Sequence, residues 1–115
     1  MKLWIAIAVL MLATVGHAGK AEATFYQGSE LLERCESDIF AKQNVCIGYL
    51  AGISDITDDY DAWGFMDKYF CIPEDATLSQ LQKVVIKGLN EKPEKLHMGA
   101  SSLVFNIFLE AFPCD

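Results

Sequence analysis

Behind the first two dozen residues, apolar positions recur at helical intervals over most of the chain. Leu31, Leu32 and Cys35 form one side of a short segment that opens on Ser29-Glu30, a capping hydroxyl followed by an anionic first turn. Cys46, Tyr49, Leu50 and Ile53 fall at offsets of 0, 3, 4 and 7, and Ile56, Tyr60 and Trp63 continue at 0, 4 and 7. This spacing predicts one long helix, with Gly52 as a candidate break. The period fails from Gly64 to Ala76, where Cys71, Pro73 and Glu74-Asp75 indicate an ordered loop held by its cysteine.

Thr77 with Gln80 three residues later is a capping-box pattern, and Leu78, Leu81, Val84, Val85 and Leu89 line up behind it. That helix should end between Gly88 and Lys92, ahead of Pro93. Leu96, Ala100, Leu103, Val104, Ile107, Phe108 and Ala111 predict a last helix, stopped by Pro113. Period-two alternation is not sustained anywhere, so the expected fold is all-α, a small disulfide-bonded bundle of about four helices.

The amino-terminal pattern is different. Lys2, the apolar run Leu3 to Val15 and the small residues Gly16 and Ala18 follow the order of a secretory leader. Its thirteen residues fall short of the roughly 20 a membrane-spanning helix needs. Residues 1–18 are therefore expected to be a cleaved signal peptide, with cutting after Ala23 as the alternative, and 19–115 a single domain free of the membrane. Losing Lys2 leaves 8 basic against 16 acidic residues. That balance repels a phosphate backbone and excludes nucleic acid as a partner class.

Export changes the meaning of the cysteines. Cys35, Cys46, Cys71 and Cys114 are read as a disulfide framework, since no pair has zinc-finger or CxxC spacing. Three pairings exist; the expected one joins Cys46 to Cys71 and Cys35 to Cys114, tying the long helix to the following loop and the chain end to the first helix. On chain entropy the two loops contribute about 3.5 and 4.5 kcal/mol.

The motifs that would carry chemistry are missing. Asp55, Asp58, Asp59 and Asp61 fail the EF-hand template, whose twelfth position would be Met66 or Phe70. His97 has no partner in a recognisable catalytic arrangement, and no phosphate loop, nucleophile elbow or HExxH is present. The expectation is a protein without enzymatic activity, metal or cofactor. Ile56, Tyr60 and Trp63 are expected to pack in the core with the aspartates on the solvated side, a partner-binding surface being the alternative.

Gly28-Ser29-Glu30-Leu31-Leu32 leading to Cys35, Cys46-Ile47-Gly48-Tyr49-Leu50-Ala51-Gly52, Cys71-Ile72-Pro73, Gln80-Leu81 with Val84-Val85, and terminal Phe112-Pro113-Cys114 together resemble the Tai family of immunity proteins. Members of that family protect bacteria against amidase effectors delivered by type VI secretion. The resemblance implies a periplasmic location, frequent homodimerisation, and inhibition by covering the active-site cleft of a peptidoglycan amidase. Candidate contact residues are Asp55, Asp58, Asp59 and Asp61, with Asn90, Glu91, Lys92, Glu94 and Lys95, because helix ends and loops are where such a surface is built. An acid-protective periplasmic chaperone or general stress-related binding protein is the alternative function.

Overall fold

The computed structural model describes residues 24–115; the expected leader and its cleavage sites, through Ala23, lie outside the described residues. Four α-helices follow in order: α1 (Gly28–Glu36), α2 (Phe40–Ala62), α3 (Leu78–Glu91) and α4 (Ala100–Ala111), with a 3-10 turn over Pro93–Lys95. Among the described residues there are no strands, and two isolated β-bridges, Gln27 to Gly99 and Phe70 to Pro113, fasten the ends of the helical unit.

The helix starts reflect their local chemistry. Gln27, not Ser29, caps α1, and a reciprocal box forms with Glu30, whose carboxylate accepts from the Gln27 backbone N–H at 2.8 Å. Thr77 and Gln80 close the expected box at α3, Thr77 N–H donating to the Gln80 side chain at 2.7 Å. The last helix starts later than its apolar pattern suggested. Leu96 and His97 lie in the turn after the 3-10 segment, because the Ala100 N–H donates to Tyr26 and the Gly28 N–H to Met98, tying this stretch to the chain preceding α1.

Leu31, Leu50, Phe70, Val85, Leu89, Val104 and Phe108 form the fully enclosed centre of the core, which draws on all four helices. Phe70, from the loop after α2, stacks edge-on against Phe105 and Phe108, with ring centroids 5.4 Å apart in both pairs. Helices α3 and α4 approach closely at Gly88, where a Cβ would stand 2.6 Å from Cγ1 of Ile107.

The disulfides are Cys35–Cys46 and Cys71–Cys114, which corrects the expected pairing. Helix α2 runs unbroken through Gly52 for 23 residues, roughly 34 Å at 1.5 Å per residue. Cys46 near its start is thereby carried far from the loop beyond its end. Only Ser37, Asp38 and Ile39 separate α1 from α2, so the two helices fold back and bring Cys35 and Cys46 to a Cα separation of 5.1 Å. Cys71 meets the chain end instead, its N–H donating to Phe112 at 2.8 Å beside the Phe70–Pro113 bridge.

Candidate functional site

The last turns of α2 overhang the bundle. Thr57 is the final buried residue of the helix, its hydroxyl donating to the Ile53 carbonyl at 2.7 Å. Beyond it Tyr60, Trp63 and Phe65 are exposed. This overturns the expectation that Ile56, Tyr60 and Trp63 pack in the core: the apolar period continues, but the neighbouring helices do not reach that far.

The overhang is well ordered by its own contacts. Gly64, at φ 74°, turns the chain back, a conformation open to glycine at no steric cost. The Phe65 N–H then donates to the Tyr60 carbonyl at 2.9 Å and the Gly64 N–H to Asp61 at 3.0 Å. The three rings consequently form a triangle, centroids 6.0 to 6.2 Å apart, with Phe65 edge-on to both other rings. The pattern of sequence had no signal for Phe65, which lies past the helix; the Trp63-Gly64 pair, a helix end followed by a glycine turn, is the feature that places it.

Asp55, Asp58, Asp59 and Asp61 are all exposed around these rings, with Asp67 following in the loop. Lys68 pairs with Asp58 at 3.0 Å, at a site open to solvent on both sides. The aspartates are thus the solvated side of α2, as expected, and they rim an exposed aromatic cluster.

The second candidate segment is elsewhere and is held by its own contacts. Asn90 donates to the Glu36 carboxylate at 2.7 Å and to the Ile86 carbonyl at 3.0 Å. Lys92 pairs with Glu110 at 2.7 Å, and Glu91 lies 3.8 Å from Lys87. The hydrogen bond raises the Lys92 pKa above its ordinary 10.5 and lowers that of Glu110 below 4.5. Glu94 and Lys95 stand exposed on the 3-10 turn. Beside them a cavity of about 170 Å³ opens over Leu89, Met98, Leu103 and Ile107, smaller than an ordinary ligand pocket.

Among the described residues no three His, Cys, Asp or Glu side chains gather to hold a metal ion. All four cysteines are oxidised in pairs, so no thiol is available as a nucleophile. What the surface offers is shape and charge.

The family profile of the Rap1a immunity proteins matches residues 27–114. The chain belongs to the Rap1a immunity family. The match begins on the residue that caps α1 and ends on the cysteine that closes the second disulfide, so the Rap1a unit and the folded unit coincide. Rap1a proteins are type VI secretion immunity proteins, which makes a secreted protein effector the partner class of this one. No curated protein matches the chain at a significant level. Among the described residues no helix is long and apolar enough to cross a membrane.

Proposed function

We propose that this Rap1a-family protein is exported to the periplasm through a leader cut after Ala18 or Ala23, binds a peptidoglycan amidase effector and blocks its active-site cleft. Family membership over the whole folded unit carries the reading. Two disulfides support an oxidising compartment. The narrower resemblance to the Tai proteins supports an amidase as the target.

Inhibition of this kind needs no chemistry from the inhibitor. A rigid body that occupies the cleft excludes substrate, and a carboxylate rim raises the encounter rate with a basic target. Asp58 and Asp61 at the free end of α2 and the Asn90–Lys95 connection are the surfaces assigned to that contact.

The test is purification from the periplasm with identification of what is bound, followed by binding kinetics with the amidase encoded beside this gene. A stoichiometric complex that abolishes peptidoglycan cleavage is expected. Asp58→Lys with Asp61→Lys should slow association roughly tenfold at low salt. Recovery without an amidase, together with suppression of aggregation of unrelated proteins at low pH, would instead establish the chaperone reading.

A further inference from the structure

The two disulfides stand in opposite environments. Cys35 and Cys46 are 2% and 0% exposed and belong to the same enclosed cluster as Leu31 and Leu50. Cys71 is half-buried and Cys114 is exposed, its sulfur 3.8 Å from the Lys68 carbonyl oxygen. Only the second bridge can be reached by a molecule in solution.

What each bridge fastens differs as well. Cys35–Cys46 joins α1 to α2, two helices packed on each other. Cys71–Cys114 joins no pair of helices: it ties the connection between α2 and α3 to residues 112–115, beyond α4. Apart from the bridge, that junction rests on the Cys71 N–H bond to the Phe112 carbonyl, 2.8 Å, on the Phe70–Pro113 pairing, and on the Phe112 ring beside Phe108, centroids 5.9 Å apart. The rest of the core comes from the helices, and Phe70 is the one enclosed side chain that the connection supplies.

We propose that Cys114 is a thiol-exchange site, at which a small thiol or a dithiol reductant opens the Cys71–Cys114 bridge while Cys35–Cys46 stays closed. Displacement at sulfur runs in line with the breaking bond, so the incoming thiolate approaches Cys114 Sγ from solvent, on the side away from Cys71. A bond forms between the incoming sulfur and Cys114 Sγ, the bond to Cys71 breaks, and Cys71 leaves as a thiolate with the electron pair. One disulfide replaces another, so this step involves no net oxidation. With a monothiol such as glutathione the product carries the thiol on Cys114 and a free Cys71. A dithiol goes further: its second thiolate attacks its own sulfur in the mixed disulfide and expels the Cys114 thiolate. The reductant ends as a cyclic disulfide and both cysteines are reduced.

Exposed bridges are the labile ones as a class. The enclosed sulfurs of Cys35 and Cys46 leave no side open for an in-line approach, and exchange there waits until the α1–α2 hairpin unfolds. Opening the outer bridge has a directed consequence. The connection over residues 63–77 carries Phe65 and also Lys68, which pairs with Asp58. The aromatic and acidic end of α2 therefore loses its tether to the end of the chain while the four helices persist. The exchange goes beyond the immunity reading and holds whatever effector the protein binds.

The test treats the oxidised mature protein, purified from the periplasm, with glutathione or dithiothreitol for graded times, followed by rapid alkylation, trypsin without further reductant and mass spectrometry. With glutathione, peptide 96–115 should carry one glutathione on Cys114 and 69–83 an alkyl group on Cys71, while 35–42 stays joined to 43–68. With dithiothreitol, Cys71 and Cys114 should both be alkylated at least about tenfold faster than Cys35 and Cys46. The glutathionylated protein should keep its helical circular dichroism, and amide exchange should quicken over residues 63–77 and 112–115 with the helix interiors still protected. Cys71→Ser with Cys114→Ser should give the same spectrum and the same exchange map with no thiol added. Opening of both bridges at one rate, opening of Cys35–Cys46 first, or a serine variant without helical structure in the cold overturns the proposal. Glutathione found on Cys71 in place of Cys114 overturns the assigned sulfur.

Discussion

Removing the Cys71–Cys114 bridge through Cys71→Ala with Cys114→Ala opens a closed loop spanning 43 residues. The unfolded chain then regains entropy worth about 4 kcal/mol. The shorter Cys35–Cys46 loop, spanning 11 residues, is worth about 3 kcal/mol on the same basis. Together they amount to much of the roughly 5–15 kcal/mol by which a small domain is stable. In a domain of this size each kcal/mol moves the melting temperature by about 4–8 °C, so the double variant should melt roughly 15–30 °C lower by circular dichroism. Full reduction should leave little native structure at 37 °C.

Trypsin gives an independent reading of the pairing, because cleavage at Arg34, Lys42, Lys68, Lys83 and Lys95 puts each cysteine in its own peptide. Without reductant, 35–42 should remain joined to 43–68 and 69–83 to 96–115 by mass. Peptides 43–68 and 69–83 found linked, or a melting temperature within about 5 °C of native after Cys71 and Cys114 are replaced, would refute the reasoning.

Gly88→Ala gains up to about 1 kcal/mol of helix propensity but sets a methyl against the stiff, branched Ile107, its Cβ 2.6 and 2.7 Å from Cγ1 and Cδ1. A net loss of about 1–2 kcal/mol is expected in urea denaturation. Ile107→Val, which removes Cδ1, should recover part of it, and strictly additive losses would count against the close approach. Glu33 and Glu110 are held below the ordinary 4.5, mainly by hydrogen bonds from Lys42 and Lys92. Such a contribution is whole above 4.5 and is lost as the pH falls through the lowered folded value. Replacing both with Gln should therefore leave stability less dependent on pH below that point; an unchanged acid limb in melts taken from about pH 5 downward would exclude these pairs as contributors.

The helices could be read from the chain wherever local chemistry and burial agree. The box at Thr77, the stop before Pro93 and the run from Leu103 to Ala111 all stand as their residues suggested. Periodicity marks a face as apolar without saying what covers it, which is why Ile56, Tyr60 and Trp63 looked like core and lie outside it. Helix α1 begins on a glutamine cap because Gln27 itself is bridged to Gly99, a long-range contact invisible along the chain. The disulfide pairing depended on whether α2 breaks at Gly52, and nothing in the spacing of the cysteines decides that. The acidic rim was legible because charge needs no fold to be counted; the aromatic triangle beside it required the turn at Gly64.

Each cysteine joins the next one along the chain, Cys35 to Cys46 and Cys71 to Cys114. For a polypeptide that emerges amino-terminus first, the earliest two thiols to meet an oxidant are already native partners. The first bond can close while later residues are still being threaded, and the second pair is then the only combination left. Such an order of synthesis calls for an oxidase but no shuffling of mismatched bonds, so a host lacking a disulfide isomerase should still yield the native connectivity.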